Sequence, residues 1–317
     1  MRSLSQILKQ MPVPAMEEVE KKRQELLKHP LVQNLRQTYT FLTEEDLKPH
    51  MTRLYQYVRE YTHCSQCPGL ERCPNDFAGH YTKLTVEGDA GHVRIYDHKV
   101  ACKKWVAKQN SEMVRKRVRS FYVDERALNE GYSAEEIITI DPERTKAAKQ
   151  VLEYIVKTKK HGLQKRGLYL VGTFGTGKTF MMCYMLHELA KSGYTGVIVY
   201  MPDFIEDLKS MIKEPERLNE TIELLKTTDL LVFDDIGAEN LNPWARDHVM
   251  GSILNYRMNR KPTFYTSNYE LDALEKHFSF TNKDGDEQYK GKRLMDRIRP
   301  FVDTIVVKGT NKRGMNL

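Results

Sequence analysis

A three-layer α/β sandwich around a mostly parallel sheet, preceded by a small and mainly helical module, is the fold class predicted by three observations. The segment Gly172-Thr173-Phe174-Gly175-Thr176-Gly177-Lys178-Thr179 is a phosphate-binding loop that follows the apolar run Leu168-Tyr169-Leu170-Val171 and opens a helical run at Phe180. A second apolar run, Leu230-Leu231-Val232-Phe233, ends in Asp234-Asp235, and the strand Thr263-Phe264-Tyr265-Thr266, after Pro262, repeats the pattern and ends in Ser267-Asn268. Strands that are apolar at every position suit burial on both faces of a parallel sheet. Helical patterns near 203–212, near 217–226 and after Asn242-Pro243 alternate with them, as does a strand-like run at 197–200. Such alternation belongs to layered α/β folds.

Length and composition set the outer limits. The chain has 317 residues, is 40% hydrophobic and carries a net charge of +7, which fits two domains of an ordinary soluble protein. No run approaches the roughly 18 apolar residues of a membrane span. The N-terminus, with Gln6, Lys9, Gln10, Glu17 and Glu18, has no secretory apolar core, so a cytoplasmic location is expected. The positive excess permits nucleic-acid binding without requiring it.

In the N-terminal part, Pro12, Pro14 and Pro30 punctuate short charged helices such as residues 17–28. Thr43 with Asp46 forms a capping start, and Leu47, Met51, Leu54, Tyr55 and Val58 recur on one face of a helix that delivers Cys64. Four of the five cysteines, Cys64, Cys67, Cys73 and Cys102, fall in this region, the first three as C-x2-C-x5-C. Clustered cysteines in a cytoplasmic chain point to metal rather than disulfides, and this spacing suits a tetrahedral structural Zn²⁺ site. His80 and His92 lie between the third and fourth cysteines, so a Cys3His set is the alternative, with His80 first; free thiols without metal are the other reading. A structural zinc contributes roughly 10 kcal/mol or more to folding a small domain. Cys183, in the helix after the phosphate loop, reads as core packing.

A basic run follows: Lys103, Lys104, Lys108, Arg115, Lys116, Arg117 and Arg119, opposed by Glu112. It reads either as a solvated helix face or as a contact for nucleic-acid phosphates. The sequence is irregular from about 120 to 140, with Gly131. Asp141-Pro142 then caps a helix carrying Ala147, Ala148, Val151, Leu152 and Ile155. The expected division is therefore a zinc-binding domain over 1–115, a basic and irregular linker over 116–135, and a nucleotide-binding domain over 136–317.

The chemistry of the second domain follows from its strand ends. Glycines 172, 175 and 177 let backbone N–H groups converge on phosphate oxygens at a helix N-terminus. Lys178 then meets the β- and γ-phosphates and the Thr179 hydroxyl meets Mg²⁺. Asp234 and Asp235 emerge at the C-terminal edge of their strand, where ligands bind in open α/β sheets. Asp234 suits the Mg²⁺ shell and Asp235 the attacking water. Asn268 offers a donor and an acceptor together, as a γ-phosphate sensor needs. A short basic helix, residues 292–299, carries Arg293 and Arg297; an arginine on such a helix can enter a neighbouring subunit's site, where it is worth about 10³ to 10⁵ in rate. Arg297 is placed ahead of Arg293.

Together, the loop 172–179, the string Leu230-Leu231-Val232-Phe233-Asp234-Asp235-Ile236-Gly237-Ala238-Glu239, the strand end Thr266-Ser267-Asn268 and Arg293-Leu294-Met295-Asp296-Arg297 resemble the AAA+ helicase loaders of bacterial replication, the DnaC/DnaI family. The four-cysteine region is most similar to its DnaI members. The resemblance covers nearly the whole chain. It implies an AAA+ ATPase that uses ATP, Mg²⁺ and Zn²⁺, whose N-terminal domain holds the hexameric DnaB-type replicative helicase. It implies too that the AAA+ domain binds ATP and single-stranded DNA, self-associates, and works with other primosome proteins at initiation or restart. Within it, Lys178 and Thr179 handle phosphate and Mg²⁺, Asp234 and Asp235 form Walker B, Asn268 is sensor 1 and Arg297 the trans-acting finger. Two departures imply slow turnover: most relatives carry Glu at the position of Asp235, for which Glu239 is a candidate substitute, and too few residues follow the arginine helix for the usual lid, leaving a second sensor unassigned. The competing readings are a transposition-associated AAA+ ATPase and a zinc-stabilised adaptor with a vestigial ATPase site.

Overall fold

Alternate residues along each central strand face opposite ways, and in this chain both sets are buried. The consequence is visible in a computed structural model, which describes residues 13–89, 92–123, 142–281 and 285–311. The chain divides into two compact units, Met1–Asn110 and Ser111–Leu317.

The first unit begins with α1 (Val13–Leu27), α2 (Pro30–Thr38) and the one-turn α3 (Glu44–Leu47). Pro30 sits in the first turn of α2, where its missing N–H costs nothing. At α3 the Thr43 hydroxyl accepts from Asp46 N–H while the Asp46 carboxylate accepts from Thr43 N–H, a complete capping box. The helix does not run on as one piece. Lys48–His50 form a 3₁₀ turn around Pro49, and α4 (Met51–Ser65) starts after it. Leu47 and Leu54 are fully buried, but Tyr55, expected on the same face, is exposed.

The module is mainly helical, as expected, but it also holds a β-hairpin that the sequence reading did not include. Strands β1 (His80–Glu87) and β2 (Arg94–Ala101) pair antiparallel over their full length, from His80 opposite Ala101 to Glu87 opposite Arg94. Thr82, Leu84 and Val86 alternate inward, and Leu84, Val86 and Ile95 pack with Leu27, Val32, Leu42, Leu47 and Leu54. Beneath them the Glu60 side chain is fully buried. Its Oε2 accepts from Thr82 N–H at 2.6 Å and from the Thr82 hydroxyl at 2.8 Å, and its Oε1 accepts from the Lys99 ammonium.

Helix α5 (Lys103–Arg117) contains the division between units and runs directly into β3 (Val118–Phe121). Here the expectation needs a correction. Residues 118–121, expected in an irregular linker, pair in parallel with β5 (Gly196–Tyr200) as an edge strand. Residues 124–135 of the expected linker, with Gly131, and the expected cap Asp141 lie outside the described residues, as does Pro12.

The second unit is a six-stranded parallel sheet. A 3₁₀ turn (Pro142–Arg144) leads into α6 (Thr145–His161), then β4 (Gly167–Val171) and α7 (Lys178–Lys191). After β5 come α8 (Met201–Met211), α9 (Pro215–Thr227) and β6 (Leu230–Asp234). Asn242 caps the next segment by accepting from Ala245 N–H. That segment is a π-helical turn (Ala245–Met250) continuing as α10 (Gly251–Arg257) rather than one uniform helix. It is followed by β7 (Thr263–Ser267), α11 (Leu271–Ser279), the two-residue strands β8 (Phe280–Thr281) and β9 (Gly285–Asp286), α12 (Gln288–Met295) and β10 (Val302–Val306).

The strand order is β10-β4-β7-β6-β5-β3. On one face Leu168, Leu170, Ile198, Val232 and Phe264 pack with α6 and α7; on the other, Tyr169, Val171, Val199, Phe233 and Tyr265 pack with α8, α10 and α11. The result is three layers. Buried Arg257 closes the end of the sheet opposite the phosphate loop by donating to the carbonyls of Leu225, Lys226, Thr228, Asp229 and Pro262 and to the Thr263 hydroxyl. No helix among the described residues is long and apolar enough to cross a membrane.

Candidate functional site

The phosphate loop joins β4 to α7, and its shape is imposed by its neighbours. A Cβ on Gly172 would lie 2.2 Å from the Val307 carbonyl oxygen, so only glycine fits beside β10. Gly175 and Gly177 have φ of +74° and +89°, the left-handed region that glycine enters without a steric penalty. Gly177 precedes α7, and a Cβ there would meet the Arg144 guanidinium at 2.3 Å. Thr176 is buried, its hydroxyl donating to Thr173 O at 3.0 Å. Thr173 and Phe174 form the exposed tip of the loop.

Lys178 and Thr179 open α7, and both point into the strand ends. Lys178 Nζ donates to Gly172 O at 2.8 Å, Thr173 O at 2.9 Å and Asn268 Oδ1 at 2.8 Å. The Thr179 hydroxyl donates to Asp234, 2.8 Å from Oδ1 and 3.1 Å from Oδ2. Asn268 Nδ2 donates to Asp235 Oδ1 at 2.9 Å. Asp234 ends β6 almost completely buried, and burial raises its carboxyl above the usual range, with the adjacent Asp235 charge adding to the rise. Asp235 takes the left-handed conformation, φ +55°, unusual for a residue with a side chain. Six of the residues singled out from sequence, Gly172, Thr173, Lys178, Thr179, Asp234 and Asp235, thus meet around one strand edge with Asn268.

Thr266 was missed. Its hydroxyl donates to Asp234 Oδ1 at 2.6 Å and accepts from Asp235 N–H at 2.9 Å. The signal was available only through the register: Phe233 pairs with Tyr265, which sets Asp234 beside Thr266. Glu239 is not a substitute for a longer acid at Asp235. It is buried, with Oε2 accepting from Gly237 N–H at 2.7 Å and Oε1 facing His277 Nε2 at 3.2 Å. Arg297, just beyond α12, contacts Asn255 Oδ1 and Arg293 O rather than members of the phosphate-loop cluster. Arg293 is exposed.

The four N-terminal cysteines are free thiols gathered in one neighbourhood. Burial raises the Cys64 thiol, and the nearby Cys67, Cys73 and Cys102 add to the rise against an Asn75 hydrogen bond. Cys67 is lowered by the Gly69 backbone N–H and by Lys104. Each sulfur accepts a hydrogen bond: Cys64 from Asn75, Cys73 from Gly79 N–H, Cys102 from Trp105 N–H and Cys67 from Lys104. Even so, among the described residues no group of three or more His, Cys, Asp or Glu side chains is arranged to hold a metal ion. The expected zinc therefore has no ligating geometry behind it here. His80 begins β1 beside this cluster, its ring centroid 5.4 Å from that of Trp105. His92 lies at the far tip of the hairpin, an eight-residue strand away, which at about 3.4 Å per residue takes it out of reach.

Comparison with known proteins covers both units. Residues 1–95 match the family described as primosomal protein DnaI N-terminus, and residues 110–316 match that described as IstB-like ATP binding protein. The chain is 33% identical over 280 residues to the replicative helicase loader DnaI of Bacillus subtilis (strain 168), covering 88% of each chain. The crystal structure of DnaI matches with a TM-score of 0.51 at 32% identity, over 63% of this chain and 99% of that one. A Streptococcus pyogenes serotype M3 protein described as a candidate primosome component matches with a TM-score of 0.52 at 28% identity, over 65% of this chain and all of that one.

Proposed function

Because the chain belongs to the DnaI family of replicative helicase loaders, we propose that it is an ATP-dependent loader that binds the hexameric replicative helicase and helps place it on single-stranded DNA. The observation that carries the ATP-dependent part is the joining of Lys178 and Thr179 to Asp235 and Asp234 through Asn268 and direct hydrogen bonding. Phosphate-binding, metal-binding and water-orienting groups are thereby held at one strand edge. In the family's manner, Lys178 neutralises the β- and γ-phosphates, Thr179 and Asp234 hold Mg²⁺, and Asp235 with Asn268 orients the water that attacks the γ-phosphorus. Arg297, or Arg293, completes the site of an adjacent copy once the ATPase units associate. ATP supplies the reactive phosphoryl group; the chain's own residues bind it, orient the water and stabilise the developing charge.

The N-terminal unit is the helicase-binding part, and the ATPase unit contacts DNA and other primosome proteins in the cytoplasm. Similarity across residues 1–95 supports the loader over a transposition-associated ATPase. Zinc belongs to this reading too. Its candidate ligands are Cys64, Cys67, Cys73 and Cys102, with His80 as the alternative, and support comes from the cysteine spacing and from the N–H donors around each sulfur. Elemental analysis of the purified chain tests it: one zinc per chain is expected, and none would remove the metal from the account.

The loader is tested by capture of a purified DnaB-type helicase on the full chain, followed by a helicase-loading assay with Lys178→Ala. Capture by both proteins and loading by the wild type alone is the expected result. Full loading by Lys178→Ala would instead describe an adaptor.

A further inference from the structure

We infer that Thr266 is a positioning residue that sets both acids of the nucleotide site through one hydroxyl group, an assignment that rests on the ATP-binding reading above. A threonine hydroxyl has one proton and two lone pairs. Here the proton is committed to Asp234 Oδ1 at 2.6 Å, and a lone pair accepts Asp235 N–H at 2.9 Å. The first contact fixes a side chain, the second a main chain. Thr266 stands where the metal-side and water-side groups can be aligned together.

A hydroxyl on a central strand has a cost. Thr266 is 1% exposed on a strand buried at every position, and burying a hydroxyl is unfavourable unless it is hydrogen-bonded. Valine would fill the same volume and favour the strand at least as well. Ordinary packing therefore does not account for threonine here, whereas its two partners do: both are acids of the site, and neither is a structural carbonyl.

Two features of those partners show what the hydroxyl does. Asp235 is held at φ +55°, a conformation that costs energy and persists only where its surroundings hold it. Its backbone is held on each side, by Asp235 N–H on Thr266 and by Ile236 N–H on Thr266 O at 2.9 Å. One residue thus grips the main chain at the point where it turns. Asp234 has two hydroxyl donors, Thr179 and Thr266. Thr179 would hold Mg²⁺ in the family's manner, so of the two donors Thr266 is the one whose hydroxyl is not assigned to the metal, and it fixes the Asp234 carboxylate.

The test compares Thr266→Val, which keeps the volume and removes both hydrogen bonds, with Thr266→Ser, which keeps the hydroxyl. Mn²⁺ affinity is read by electron paramagnetic resonance on the full chain with a non-hydrolysable ATP analogue bound, beside steady-state turnover and metal-free nucleotide affinity. Loss of an outer-sphere partner of a metal ligand typically costs about 10- to 100-fold in metal affinity or activity. That loss is expected for Thr266→Val in both Mn²⁺ affinity and kcat, with metal-free nucleotide affinity kept within about threefold and most of the loss restored by Thr266→Ser. A purely structural role would lower thermal stability without changing Mn²⁺ affinity, and wild-type Mn²⁺ affinity in a folded Thr266→Val would overturn the assignment. If the wild type binds Mn²⁺-nucleotide but does not turn over, hydrolysis fails as a reading while the metal measurement still decides the role of Thr266.

Discussion

Lys178 and Asn268, 90 residues apart, are joined by a 2.8 Å hydrogen bond from the ammonium to the amide oxygen. Because that oxygen faces Lys178, the amide nitrogen is turned to Asp235. The loop that grips phosphate and the acid that orients water are thus linked through one planar group. Asn268→Ala is expected to lower turnover about 100-fold, as loss of a positioned transition-state donor does, while ATP affinity changes by less than about fivefold. Lys178→Ala is expected to lose measurable nucleotide binding. Titration with a fluorescent ATP analogue and phosphate-release kinetics separate the two.

Asp235 carries a second, conformational demand. Asn and Asp tolerate positive φ better than other side chains, and β-branched residues tolerate it worst. Asp235→Asn should therefore stay within about 0.5 kcal/mol of the parent in stability and lose turnover by about 100-fold or more through loss of the carboxylate. Asp235→Val should also lower stability by about 1–3 kcal/mol. Equal melting temperatures for the two variants would show that the turn relaxes.

Arg257 is expected to be the most costly single side chain to remove from the sheet's far end. Burial lowers its pKa to about 10, which leaves it cationic at neutral pH. It donates to five carbonyls and the Thr263 hydroxyl. Each buried acceptor left unpaired costs about 1–3 kcal/mol. Arg257→Met should lower the melting temperature of the second unit by about 10 °C or more, read by calorimetry. A change below about 2 °C would mean that water replaces the guanidinium.

Glu60 makes the first unit sensitive to acid. Burial alone would raise its pKa, but Lys99 and the two Thr82 donors outweigh burial and hold it below 4.5. A folded-state pKa below the unfolded value stabilises above the unfolded pKa, and that contribution is lost as pH falls through the folded one. Trp105 fluorescence in a Trp244→Phe background should show the first unit weakening as pH falls below about 4.5. Glu60→Gln should be less stable at pH 7 and flatter against pH. An identical pH profile would assign the acid sensitivity to other groups.

The phosphate loop was legible because its constraints are local: three glycines, a preceding apolar run and a following helix. Asp234 and Asn268 could be read because each ends a run buried on both faces. Thr266 could not, because its role arises from the sideways register of β6 and β7. The hairpin escaped notice because the alternation of Thr82, Leu84 and Val86 is short and β2 answers it with a single buried residue, Ile95. Strand β3 was hidden by the basic helix that runs into it and by Arg119, which an edge position accommodates. Pro49 split a helix whose apolar spacing alone looked continuous. Glu60 and Arg257 are buried charges whose partners come from separate elements, so no short window contains the evidence for them.

The placement of Gly172 against the Val307 carbonyl has a consequence for synthesis. Ile305 pairs with Leu170, and Val307 N–H donates to Val171 O at 2.7 Å, so the last strand forms one wall of the phosphate loop. Domains form progressively as a chain leaves the ribosome, and non-local strand pairing comes late. A nascent chain that has already exposed residues 172–179 still has its β4 edge unpaired until residues 302–307 emerge. Nucleotide competence should therefore wait until residues 302–307 have emerged and paired.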